Sequence, residues 1–127
     1  MARLLEQGRP GVDDFWSEVT EADVLVSSPL LRPECTSVIR RAAFERALSH
    51  EQAQRLIRAL VAVRLEVVDS LQQFARANDL ARQFQYKKAY DMQYLAVAEI
   101  AGAELVTADR ELRHAAETIG VPARYLI

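Results

Sequence analysis

The sequence predicts an α/β fold of three layers, in which helices cover both faces of a central parallel sheet. Short apolar segments alternate with longer segments of helical periodicity along the 127 residues. All four glycines and three of the four prolines fall between these segments, where turns are expected. Short apolar strands separated by helices are typical of parallel sheets that are buried on both faces. We therefore expect one α/β domain over residues 1–127.

Each predicted element has a local justification. Pro33 lies in the first turn of its helix, where the missing N–H costs nothing. Ser49 is expected to cap the next helix, with Glu51 and Gln52 near the positions that complete a capping box. Leu56, Leu60 and Val63 are expected to form that helix's buried stripe. Helices are predicted over residues 12–19, 33–48, 49–63, 71–84, 89–100 and 110–119, and strands over residues 23–27, 64–69, 103–107 and 123–127.

The composition restricts the class of protein. A net charge of -2 gives no global positive field, so any nucleic-acid binding must depend on a local patch. The single cysteine, Cys35, excludes an internal disulfide and is typical of a reducing compartment. No apolar run approaches membrane-spanning length, and residues 1–10 lack the apolar centre of a signal peptide. We expect a cytoplasmic protein without a membrane partner.

Three acids are predicted to converge at one edge of the sheet. Parallel α/β sheets bind ligands beyond the carboxyl ends of their strands. Asp109 lies two residues after a predicted strand, Asp91 begins a helix, and Glu34 lies in the first turn of another helix that follows a strand. Carboxylates without clustered histidine or cysteine favour Mg²⁺ or Mn²⁺. Such an ion stabilises charge on a phosphoryl oxygen, which suits phosphodiester hydrolysis.

Basic residues accompany these acids, but every candidate also has a purely structural explanation. Arg41 follows Glu34 by seven residues and shares its helix face, so it could contact a phosphate. Lys87 and Lys88 are the only lysines and lie just before Asp91. An acid in a first helical turn is also a favourable partner for the helix dipole. Asp109 could simply be an N-cap, and the basic residues could be solvated. Spacing alone leaves both explanations open.

Three segments resemble a PIN domain, and among PIN domains the bacterial VapC-like toxin ribonucleases in particular. They are "SSPLLRPECTSVIRR", the hairpin "LSHEQAQRLIRALVAVRLEVVD" and "AYDMQYLAVAEIAGAELVTADREL", and the resemblance runs from residue 23 to the C terminus. By position, Glu34, Asp91 and Asp109 match acids that bind Mg²⁺ or Mn²⁺ in that family, and Thr107 matches the hydroxyl that accompanies the last acid. The resemblance implies that Thr107 orients a metal-bound water and that Arg41 contacts the RNA backbone.

The resemblance also implies partners: a single-stranded or tRNA-like RNA substrate, a cognate antitoxin and a second copy of the chain. It departs from the family at the beginning, where members carry an apolar strand that ends in aspartate. Here "ARLLEQGRPG" resembles the end of the first helix, and Asp13 and Asp14 open the next helix instead of ending a strand. We therefore expect an N-terminally incomplete PIN-like domain, either because the natural start lies upstream or because the domain is degenerate.

The leading hypothesis is a metal-dependent endoribonuclease of the VapC type, with activity impaired by the missing acid. The alternative is a non-catalytic binding module that keeps the PIN fold and acts through antitoxin or homodimer contacts. A receiver-like signalling domain also gathers acids at strand ends, but no phosphoacceptor aspartate ends an early strand here.

Overall fold

The computed structural model describes residues 17–20 and 23–126. Of the helix predicted over residues 12–19, residues 17 and 18 are helical and residues 12–16 lie outside the described part. The remaining elements follow the predicted order. They are β1 (Val26–Ser27), α1 (Leu31–Phe44), α2 (His50–Ala62), β2 (Glu66–Val67), α3 (Leu71–Gln83), α4 (Tyr90–Ala101), β3 (Leu105–Thr107), α5 (Arg110–Thr118) and β4 (Ala123–Tyr125).

The strands pair in parallel, as predicted, but they form two sheets. β1 pairs with β2, with Val26 opposite Glu66, and β3 pairs with β4, with Leu105 opposite Ala123. Within residues 23–126 no strand joins β1 to β3, so the predicted central sheet is not continuous there. Each of these strands is two or three residues long. The three-layer arrangement therefore stays a prediction.

Helix α4 occupies the centre of the described structure. It packs along α3 and also contacts β1, β3 and α5. Its apolar residues are buried because neighbours surround it, whereas a helix on the surface would bury only one stripe. The buried residues of α4 are Met92, Leu95, Ala96, Val97 and Ala98. Arg76 of α3 makes a two-pronged contact with Glu99 of α4, from Nε to Oε1 at 2.6 Å and from Nη2 to Oε2 at 3.0 Å.

The ends of α2 and α4 follow the local chemistry of the sequence. Ser49 Oγ accepts from the Gln52 N–H at 3.1 Å, and Gln52 Oε1 accepts from the Ser49 N–H at 2.8 Å, which confirms the capping box. Gly102 ends α4 with a positive φ of 63°, a conformation that glycine adopts at little cost.

The apolar stripe predicted on α2 is only partly buried. Leu56, Leu60 and Val63 are half-buried, and Ala53 is the buried residue of this helix. The three larger side chains line a cavity that opens to solvent, so they are not enclosed on all sides. Among the helices described, none is long and apolar enough to cross a membrane.

Candidate active site

A cavity of about 640 Å³ lies between the two strand pairs. Residues 24–28, around β1, line one part of it, and residues 103–107, around β3, line another. Side chains of α1, α2 and α4 complete an apolar lining that includes Leu31, Leu60 and Val97. Glu34, Asp91 and Asp109 all line this same cavity, together with Thr107. The structure thus brings acids from three distant parts of the chain to one open cavity.

Glu34 and Asp91 reach the cavity from helix N-termini. Glu34 lies half-buried in the first turn of α1, and Asp91 lies exposed in the first turn of α4. Neither α1 nor α4 has a side-chain N-cap, since Leu30 and Ala89 occupy the cap positions. A carboxylate in the first turn interacts favourably with the unpaired N–H groups and the dipole at such a helix start. The structural explanation therefore holds for both acids, and it also determines where their carboxylates lie.

Asp109 has a structural role that leaves one carboxylate oxygen uncommitted. Its Oδ1 accepts from the N–H groups of Glu111 at 2.9 Å and Leu112 at 3.2 Å, so Asp109 is the N-cap of α5. Its own N–H donates to Thr107 Oγ1 at 3.0 Å. No described residue donates a hydrogen bond to Asp109 Oδ2. Thr107, which is buried, and the cap together hold this carboxylate in place beside the cavity.

Tyr86 lies near both Asp91 and Asp109. The pKa of Tyr86 is raised to about 12, and burial is the largest cause. The hydrogen bond that its hydroxyl donates to Glu111 Oε2, at 3.2 Å, and the negative charge of Glu111 contribute to this rise. The charges of Asp109 and Asp91 act in the same direction. Both carboxylates therefore lie near one phenol, at the same edge of the molecule.

Tyr94 connects the third acid to this group. It lies one turn after Asp91 in α4 and lines the cavity. Burial raises the pKa of Tyr94, and the negative charge of Glu34 raises it further. The Tyr94 hydroxyl interacts with the side chains of Glu34 and Ser28, both of which line the cavity. Tyr94 therefore lies beside the Glu34 carboxylate, as Tyr86 lies near the other two acids.

The donors around the cavity fit a hard cation by chemistry but do not form a complete metal site. Carboxylate and hydroxyl oxygens are the ligands that Mg²⁺ and Mn²⁺ prefer. However, in residues 17–20 and 23–126 no three Asp, Glu, His or Cys side chains lie close enough together to hold one ion. The three acids share a cavity without meeting at one point.

The predicted basic residues are distributed differently from the acids. Arg41 is exposed in the last turn of α1 and does not line the cavity, since seven residues of helix separate it from Glu34 by roughly 10 Å. Lys87 and Lys88 are exposed, and Lys88 lines a separate neighbouring groove. Among the described residues, Arg124 is the basic side chain that lines the cavity, and it pairs with Glu104 and Glu18.

Sequence reasoning missed Arg124, Tyr86 and Tyr94. Only Tyr94 carried a local signal, because it lies three residues after Asp91 and so shares its helix face. The other two are positioned by contacts between distant segments. Tyr86 meets Glu111 and Arg124 meets Glu18, and neither spacing is visible in a helical or strand period.

Comparison with known proteins gives one family match. No curated protein matches the chain. The family model of the PIN domain matches residues 2–118, which is most of the length of this chain. The match includes every acid of the cavity and the elements from β1 to α5. The chain therefore belongs to the PIN domain family.

Proposed function

We propose that this protein is a metal-dependent endoribonuclease of the VapC toxin type, which hydrolyses RNA phosphodiester bonds. PIN domains are α/β folds of the nuclease type that commonly bind RNA and typically depend on a divalent metal. The observation that carries the proposal is the position of Glu34, Asp91 and Asp109 around one cavity in a chain of this family. We further propose a cytoplasmic location, a cognate antitoxin and a homodimer.

In this proposal Glu34, Asp91 and Asp109 hold Mg²⁺ or Mn²⁺. When bound, such a cation stabilises the negative charge on the phosphoryl oxygens as the phosphodiester bond breaks. Asp109 would contribute Oδ2, because its Oδ1 already accepts two backbone N–H groups. Thr107 is a positioning residue, since its hydroxyl accepts the N–H of Asp109 and fixes the turn on which that carboxylate stands.

Tyr94 and Tyr86 would act as hydrogen-bond donors. The pKa of both phenols is raised, so both keep their protons at neutral pH and beyond. Tyr94 lines the cavity beside Glu34, where its hydroxyl can donate to a phosphate oxygen or a water. Tyr86 already donates to Glu111 and steadies the start of α5, directly after Asp109.

One observation favours a second candidate, a non-catalytic binding module with the PIN fold. The described acids do not form a group of three that could hold a metal ion. A site that holds its metal loosely aims it poorly, and small errors of position cost large factors in rate. In this alternative the cavity acids shape a binding surface and the cleavage of RNA does not occur.

A cleavage assay decides between these two functions. The protein is incubated with a panel of labelled single-stranded RNAs and tRNA, in Mn²⁺ and in EDTA. The endoribonuclease requires Mn²⁺-dependent cleavage that Asp91→Asn and Glu34→Gln each abolish. Asp79→Asn and Glu51→Gln are matched controls, because both acids are exposed on helices and neither lines the cavity. RNA bound but uncleaved by a protein that binds Mn²⁺ would establish the binding module.

A further inference from the structure

A second concave surface adjoins the acid-lined cavity. This groove measures about 580 Å³ and lies where the first turns of α3 and α4 come together. Phe74 of α3 and Tyr90 of α4 line it, and 44% and 58% of their surfaces are exposed. Large exposed aromatic side chains in one groove are uncommon on a protein that buries its apolar surface, and they mark binding sites.

The groove and the cavity share two stretches of backbone as their common wall. At the start of α4, Tyr90 lines the groove and Asp91, the next residue, lines the cavity, while Lys88 lines the groove just before the helix. Before α1, Leu30 lines the groove and Leu31 lines the cavity. A ligand bound in the groove is therefore a direct neighbour of the candidate catalytic acids.

The polar groups of the groove have the character that nucleic acid requires. Lys88 supplies a positive charge just before the start of α4, where it can pair with a phosphate. Gln93 is held by Gln73, whose Nε2 donates to Gln93 Oε1 at 3.2 Å. The amide of Gln93 and the carboxylate of Asp69 place a donor and an acceptor at the groove for the edge of a base.

We infer that this groove binds an unpaired base of the RNA, stacked against Tyr90 and Phe74, with Lys88 on the neighbouring phosphate. The inference rests on the proposed action on RNA and names the subsite that positions the strand. Aromatic platforms of this kind bind single strands with little sequence preference, because every base offers a face for stacking. An apolar protein partner would need a patch without the lysine and the two polar groups, so RNA fits the lining better.

The test is fluorescence anisotropy with a fluorescein-labelled 12-nucleotide single-stranded RNA in EDTA, where no cleavage occurs. Loss of one stacking contact weakens binding by about 5- to 100-fold, so Tyr90→Ala and Phe74→Ala should each show a loss of this size. Tyr90→Phe keeps the ring and should bind within about twofold of the parent. Lys88→Gln should reduce the slope of log affinity against log salt by about 0.7, the value for one phosphate of a single strand.

Phe44→Ala is the matched control, because Phe44 is 75% exposed at the end of α1 and lines neither the groove nor the cavity. Circular dichroism establishes that each variant is folded. Parent-like RNA affinity in folded Tyr90→Ala and Phe74→Ala would refute the base subsite, and it would leave the proposed function intact wherever Asp91→Asn still abolishes cleavage. Failure of the parent protein to bind any RNA would refute both. A change of oligomeric mass in Phe74→Ala with unchanged RNA affinity would assign the groove to a protein interface and overturn the inference.

Discussion

Replacement of Asp109 separates its structural role from its proposed metal-binding role. Oδ1 caps α5 by accepting two backbone N–H groups, and Oδ2 lies free of described hydrogen bonds beside the cavity. Asparagine keeps a side-chain oxygen that caps a helix about as well as aspartate, but it carries no charge. Alanine removes both the cap and the charge. The two variants should therefore differ in stability, whereas both should lose metal binding.

The stability difference follows from the two hydrogen bonds at 2.9 and 3.2 Å. Loss of an N-cap costs about 1 kcal/mol, and loss of the carboxylate at a helix start costs roughly a further 0.3–1 kcal/mol. Asp109→Ala should lower the free energy of unfolding by about 1–2 kcal/mol, which for a domain of this size lowers Tm by roughly 3–8 °C. Asp109→Asn should cost only about 0.3–1 kcal/mol, because the amide oxygen keeps the cap and only the interaction of the charge with the helix dipole is lost.

Urea denaturation followed by circular dichroism measures the stability, and titration calorimetry with Mn²⁺ measures the metal. A site of few carboxylates should bind Mn²⁺ with a Kd on the order of 10⁻⁴ to 10⁻³ M. Both variants should lose that binding, with Asp79→Asn as the charge-matched control. Mn²⁺ heats in Asp109→Asn equal to those of the parent would remove Asp109 from the metal site. Equal stabilities of the alanine and asparagine variants would refute the capping argument.

Four further outcomes are expected. The pKa of Tyr86 is raised from its ordinary 10 to about 12, so the folded state favours the neutral phenol. This contribution to stability is complete below pH 10 and is lost as the pH rises toward 12. Tyr86→Phe should therefore reduce the loss of stability at alkaline pH, measured by urea denaturation. Arg76→Met breaks the two-pronged contact with Glu99, and because both partners are about a third exposed the cost should be roughly 0.5–1 kcal/mol by urea denaturation. Gly102→Ala should cost about 1 kcal/mol through its φ of 63° alone, since a Cβ there would meet nothing within 4 Å, and an unchanged Tm would contradict this. Light scattering at tens of micromolar should give a dimer mass that Val61→Asp, at an exposed apolar position of α2, reduces to that of a monomer.

The sequence determined the elements well where the signal was local. Ser49 and Gln52 marked the start of α2, and Gly102 marked the end of α4. Helix α1 ends at Phe44, four residues before the predicted bound, because Arg46 adopts a positive φ of 61° and the N–H groups of residues 47 and 48 turn back to Ala42. Nothing in the side chains of that stretch announces the turn, since the residue in the left-handed conformation is not a glycine.

Local sequence patterns could not predict whether the sheet is continuous or which residues complete the site. Both depend on contacts between distant segments. Parallel pairing joins segments that lie far apart in the chain, as Val26 and Glu66 do, and no local period encodes which strands become neighbours. The acids could be predicted because chain order places helix starts and strand ends at one edge. For Arg41, helical periodicity gave the correct face of α1 but not the distance along the helix axis, which keeps it away from the cavity.

The structural and the functional explanations of the three acids support each other. Gathering like charges around a partly apolar cavity is costly unless something positive meets each of them. Glu34, Asp91 and Asp109 each stand at a helix N-terminus, where unpaired N–H groups supply partial positive charge. Each of the three carboxylates therefore has a favourable partner at its own helix start, and that partner helps to keep it beside the cavity. A structural role at a helix start does not argue against the proposed metal-binding role of the same acid.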